Sequence, residues 1–257
     1  LALSGYGRII GVKDSGGKEQ TVKPVSIIAI VFLLLAVRLS SGQVLPAQSD
    51  SLYRRYDYKS FTEYAPAEQR IKMDRIDHGL LNAALFFETN RQRASHKLPL
   101  LKHSPALENA AVLHSTDMVK NNYFSHTGRR SGQETLEARL YSVGVVGVIS
   151  AENIAEAFGI EYKAGEPVYP PEQNGGYFSY EYEGEPILNY TYLGFARQVL
   201  RQFMESEHHR ENILNPDFHY CGAGAVHFRD STFHDVDEFK VTQLFTKSLG
   251  NDLQEGR

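Results

Sequence analysis

Apolar residues recur along this chain at two different spacings, and the order in which the spacings alternate sets the fold expectation. Ile76, Leu80, Ala83/Ala84 and Phe87 follow helical spacing, which marks a helix with one buried face. This predicts an amphipathic helix from about 74 to 94. A loop over 96–102 follows, and Ser104-Pro105 supplies an N-cap and a first-turn proline for a second helix. Its stripe is Leu107, Ala111, His114 and Met118, so His114 points inward and reads as a hydrogen-bonded core histidine. A third helix is expected over 135–144, stopped by Gly144, and a β-branched, small-residue stretch over 145–158 reads as a strand. Leu193, Ala196, Leu200 and Phe203 place a fourth helix over about 192–208. Strands are expected over 220–228 and 239–247, joined by a polar turn that holds Ser231, His234, Asp235 and Asp237. Helices and strands in this order predict an α/β protein, a three-layer α/β/α sandwich around a small antiparallel central sheet.

Two stretches break these patterns. Residues 25–37 form an uncharged apolar run preceded by Lys23 and followed by Ser40-Ser41-Gly42. The run is too short for a membrane span, which needs about 20 apolar residues, and reads as the apolar region of a signal peptide. The expected organisation is therefore a leader over 1–42 and a linker or N-terminal arm over 43–73. A main domain over 74–248 and a tail over 249–257 follow. The second break, residues 161–192, holds seven of the fifteen tyrosines, six glutamates, four prolines and four glycines against one lysine. Helical period is lost there. A loop of this length in a compact domain is usually functional or disordered, and tyrosines offer large contact area at low entropic cost. The stretch is thus a candidate partner surface as well as a flap without a partner.

Composition narrows the choice of partners. With 42% hydrophobic and 23% charged residues, the chain is globular in type. Residues 1–42 carry five basic and two acidic side chains, which leaves 22 basic against 29 acidic in the remainder, a net −7. That balance points away from nucleic acid and from anionic membranes, both of which require clustered positive charge. No membrane span is expected after leader cleavage. Cys221 is the single cysteine and sits in an apolar run, so an inert buried thiol is expected.

The chemistry lies in four short segments. They are Tyr123-Phe124-Ser125-His126, then Ala151-Glu152-Asn153-Ile154-Ala155, then Ser206-Glu207-His208-His209-Arg210-Glu211-Asn212-Ile213-Leu214, then Thr242-Gln243-x-Phe245. In this order they resemble the bacterial branch of the CAP superfamily, which holds the cysteine-rich secretory proteins, antigen 5 and the plant pathogenesis-related proteins. The resemblance covers about 74–247 and implies the same α/β/α sandwich, secretion to the periplasm or medium, and a cleft lined by histidines and glutamates. Carried over residue by residue, it implies a cleft of His126, Glu152, Ser206, His209 and Arg210. Ser206 stands where the eukaryotic relatives have a second glutamate, and His209 substitutes for a histidine in a segment this chain lacks. Those relatives are cross-linked by disulfides, which a single cysteine cannot form internally.

Two imidazoles and a carboxylate suit zinc, so His126 and His209 are candidate metal ligands, and Glu152 is a candidate general base. The same residues can equally form a hydrogen-bonded brace between loops and sheet. No His-Glu-x-x-His helix, nucleophile elbow or phosphate loop is present. The favoured reading is a secreted binding module for an extracellular or envelope ligand (lipid, glycan or protein). A metal-dependent, peptidase-like hydrolase using the same cleft is the alternative, and a structural envelope factor is a third.

Overall fold

The structure, a computed structural model, describes residues 49–250, so the apolar run at 25–37 and the end of the tail lie outside the described residues. Among the described residues six α-helices and four strands follow one another as α1 (Ser49–Arg55), α2 (His78–Ser95), β1 (Lys102–His103), α3 (Pro105–Lys120), α4 (Leu136–Ser142), β2 (Ser150–Phe158), α5 (Tyr192–Glu205), α6 (Glu207–Leu214), β3 (Tyr220–Asp230) and β4 (Val236–Thr246). The helix starts follow capping chemistry. Asp77, Ser104, Thr135 and Thr191 each accept, through a side-chain oxygen, a backbone N–H of the first turn, satisfying donors that have no partner inside the helix.

The sheet order is β1-β3-β4-β2. β4 runs antiparallel to both long neighbours, and the two-residue β1 adds a short parallel pair with β3. β2 is therefore an edge strand. Side chains alternate across the sheet. Ala155 and Ala157 of β2, Cys221, Ala223 and Ala225 of β3, and Phe239, Val241 and Phe245 of β4 face the large core shared with α2 and α5. Leu244 faces the opposite way, into a smaller core with Leu107, Ala110, Ala111 and Leu140, and Ile154 packs on Met118 and Tyr123 on that same side. Helices thus cover both faces, giving a three-layer α/β/α sandwich. The α3 layer comes unusually close to β3. A Cβ added at Gly222 would lie 2.1 Å from Glu108 N, and one at Gly224 would lie 2.5 Å from Val112 N.

Three local outcomes differ from the pattern reading. The helix expected over 192–208 ends at Glu205 and restarts at Glu207, because Ser206 takes an extended conformation (φ −86°, ψ 124°) between them. The strand expected from 145 begins at Ser150, since Gly144 and Gly147 turn through positive φ. Residues 49–71 contribute Phe61, Ala67 and Ile71 to the main core, all essentially fully buried. Cys221 is buried, and burial pushes its thiol far up, leaving it without thiolate character.

The 161–192 stretch folds over the β3–β4 turn. Val168, Phe178 and Val236 form its own small core, with Phe158, Ile160, Ile187 and Phe233 packed around them. Backbone bridges join Ile160 to Asn189 and Tyr169 to Ser179. The Asn174 side chain donates to Ser179 Oγ at 2.6 Å and accepts from Glu183 N at 2.6 Å, fixing the tip.

Candidate functional site

The site is built on the edge strand β2 and follows from the alternation of two neighbours. Glu152 projects into the α3/α4 layer and Asn153 into the α5/α6 layer. Glu152 is only 8% exposed, and its carboxylate is bonded at both oxygens. Oε1 lies 2.9 Å from His126 Nδ1, and Oε2 accepts from Arg139 Nη2 at 2.6 Å. His114 Nε2 stands 3.8 Å from Oε1 and 3.1 Å from the Ser125 carbonyl. Burial by itself would raise the Glu152 carboxyl. The His126 hydrogen bond and the charges of Arg139 and His114 outweigh it and hold the group below the usual glutamate range.

Arg139 is 1% exposed and joins more than one partner. Beyond Glu152, its guanidinium donates to the carbonyls of His126, Gln133 and Glu134. One buried cation therefore fixes both the carboxylate and the loop that carries His126. That loop is also braced through Asp117, which accepts from Tyr123 Oη and from the backbone N–H groups of Arg129 and Arg130. Burial and the Asp117 bond push the Tyr123 hydroxyl up to about 12. The outcome is a rigid seat for an outward-facing imidazole: the His126 side chain is 59% exposed. Phe124 beside it is 45% exposed.

On the other face, Asn153 Nδ2 donates to the His209 carbonyl at 3.2 Å and to Gln243 Oε1 at 3.1 Å, and Asn153 Oδ1 accepts from Asn212 Nδ2 at 2.8 Å. Gln243 Nε2 donates in turn to Thr89 Oγ1 at 2.6 Å. This chain of side-chain amides ties α6, β2, β4 and α2 together. It gives Asn212, Asn153 and Gln243 of three of the short segments a shared structural role.

The five cleft residues expected from the sequence are placed as follows. His126 and Glu152 meet directly. His209 is half-buried with its ring 5.1 Å from that of Phe203. Its pKa is lowered by burial first, then by the charges of His126 and His208. Ser206 marks the break between α5 and α6, and its side chain makes no capping bond. Arg210 Nη1 donates to the Met204 carbonyl at 2.8 Å, tying down the end of α5. Arg139 and His114 complete the network. Arg139 lies three residues after Leu136 and four before Val143, within the inward arc of α4, and a buried guanidinium needs an anion. That is the signal by which it could have been found.

Glu152 is not free to ligate a metal ion. Both Glu152 oxygens are occupied and a guanidinium adjoins them. Among the described residues no three histidine, cysteine, aspartate or glutamate side chains gather closely enough to hold one.

The sequence profile of the cysteine-rich secretory protein family, CAP, matches residues 86–245. The uncharacterised protein YkwD of Bacillus subtilis is 28% identical over 139 residues, 54% of this chain and 39% of its own length. Among solved structures, an extracellular protein of Bacillus anthracis that contains an SCP domain is 28% identical, with a TM-score of 0.44, covering 68% of this chain and 43% of that one. An outer surface protein of Borrelia burgdorferi is 19% identical, with a TM-score of 0.42, covering 67% of this chain and 96% of that one. The chain spans less than half the length of the two Bacillus proteins.

Proposed function

Because the chain belongs to the cysteine-rich secretory protein (CAP) family, we propose that it is an exported binding module whose His126/Glu152 cleft engages an extracellular or envelope ligand. The observation that carries this reading is the saturation of Glu152. An ionised carboxylate held low by His126, Arg139 and His114 is a weak general base, since efficient proton transfer wants a pKa near the working pH. What the arrangement offers instead is a fixed display: an exposed imidazole and an exposed Phe124 ring on a braced loop, with His209 across the strand edge.

Export rests on the 25–37 apolar run. No described helix is long and apolar enough to cross a membrane. The 161–192 flap, with Tyr182 61% exposed at its tip, is proposed as an accessory partner surface. The test is retention of purified full-length chain on isolated cell-envelope fractions, with peptide turnover followed in parallel. Retention lost in His126→Ala, with no turnover by either protein, is the expected outcome. Peptide turnover abolished by Glu152→Gln would replace this reading with the hydrolase.

A further inference from the structure

β2 carries backbone hydrogen-bonding groups that the fold leaves unused, and they lie along the His126/Glu152 cleft. β4 runs along one side of the strand, and no further strand pairs with the other side among the described residues. Antiparallel pairing sends the N–H and C=O groups of successive residues to opposite sides. Ile149 O accepts from Lys247 N, and Gly159 N donates to Asp237 O, so the odd-numbered residues face β4. The backbone groups of Ser150, Glu152, Ile154 and Glu156 therefore face outward. Glu156 O accepts from Gln202 Nε2 of α5 at 3.3 Å, and just beyond β2 the chain pairs with the flap at Ile160 and Asn189. The outward groups of Ser150, Glu152 and Ile154 make no hydrogen bond with the described residues. The open edge thus runs from Ser150 to Ile154 and is closed at one end.

Proteins usually blunt such an edge with a proline, a bulge or a charge. Here the register with β4 is unbroken from Ser150 to Phe158, and no proline occurs in the strand. The Glu152 carboxylate is turned into the α3/α4 layer towards Arg139, and Glu156 is held by Lys240 Nζ at 2.7 Å.

The surroundings decide what can use the edge. The loop of Phe124 and His126 stands on one face of β2, where His126 meets Glu152. α6 stands on the other, where Asn153 reaches the His209 carbonyl. Glu152, Asn153 and Ile154 are buried between these walls, so the edge is the floor of a slot. A slot of this kind admits one extended chain. The edge of a second copy is flanked by the same two walls and is kept at a distance.

We infer that the cleft ligand is an extended polypeptide segment that adds to β2 as a further strand. The inference rests on the reading of the His126/Glu152 cleft as a binding site and names its class of ligand. The backbone of the segment would bond to Ser150, Glu152 and Ile154, and main-chain bonds of this kind give affinity with little demand on sequence. Alternate side chains would stand beside the exposed rings of Phe124 and His126.

The test titrates full-length chain with acetyl-Lys-Thr-Val-Tyr-Val-Thr-Lys-amide, a strand-forming peptide, by calorimetry at physiological salt. Amide hydrogen exchange is followed residue by residue in parallel. One saturable site is expected. At saturation, exchange at Ser150, Glu152 and Ile154 should slow about tenfold or more, while Ala151, Asn153 and Ala155, already in the ladder, change little. N-methylation of the central Val-Tyr-Val removes donors from both edges of the peptide and should weaken binding at least about tenfold. Ser150→Pro deletes one outward N–H at the first residue of the strand, a position that tolerates proline. It should weaken the peptide with the melting temperature in place.

No saturable site, equal binding of the methylated peptide, or protection without the alternation would overturn the inference. So would protection of the same amides that grows with protein concentration in the absence of peptide, which would assign the edge to a second copy. Envelope retention that depends on His126, with no peptide bound, would keep the cleft as a binding site and remove the polypeptide as its ligand. Alternating protection by the peptide, with envelope retention indifferent to His126→Ala, would uphold the added strand and remove the His126 display.

Discussion

Glu152 on an edge strand and Arg139 on a seven-residue helix meet at 2.6 Å inside the protein, with both side chains almost wholly withdrawn from water. Removing one member of such a pair strands the other charge, which costs about 3–5 kcal/mol. Arg139→Leu should therefore destabilise severely. Arg139→Leu combined with Glu152→Leu should recover part of the loss, and chemical denaturation of the two variants measures the difference.

His126 stands differently on the same carboxylate. Its ring is largely exposed, and Arg139 would still pair Glu152 after His126→Ala. The expected cost is under about 1 kcal/mol, well below that of Arg139→Leu, while retention on envelope fractions falls. Equal destabilisation by the two substitutions would make His126 part of the brace and not of the display.

Acid should weaken the fold in two overlapping ranges. Glu152 titrates lower when folded than its ordinary 4.5, so its contribution is full above that value and is lost as pH falls through the folded pKa. Burial lowers His114 below its ordinary 6.5, against the pull of Glu152. The unfolded chain therefore takes up that proton first, and stability declines as pH drops below 6.5. His209 shifts in the same direction. Melting temperature should fall steadily from pH 7 to pH 4, and His114→Gln should flatten the upper part of that slope.

Asn212→Ala should release α6. It removes one bond to Asn153 and leaves the Asn153 carbonyl oxygen to find another partner, at a cost of about 1–3 kcal/mol. Hydrogen exchange should rise in 207–214 and in β2 more than in α3. Uniform protection across the protein would argue against the amide chain as the link.

Gly222→Ala tests the close approach of α3 to β3. The added Cβ would meet backbone, with Glu108 N at 2.1 Å and Leu107 C at 2.4 Å, so relief requires moving a helix. A loss of at least about 1–3 kcal/mol is expected, measured as a shift of the denaturation midpoint.

The sequence by itself determined the layer order, because helical and strand spacings of apolar residues and a capping residue such as Ser104 act over a few neighbours. The resemblance also groups the segments of His126, Glu152 and His209, all within the matched 86–245, and in the fold His126 bonds Glu152 directly. What each residue does was decided only in three dimensions. One-residue alternation along β2 sends Glu152 to Arg139 and Asn153 to Asn212, partners 13 residues before and 59 residues after in the chain. Arg210 resembled a site residue, yet it caps the carbonyl of Met204, because the extended Ser206 breaks the helix before it. Long-range pairing of buried polar groups depends on where elements cross, and no local spacing carries that information. The stacking of Tyr53 on His103 was likewise absent from the sequence pattern: the two are 50 positions apart, and only the folded arm brings their rings together.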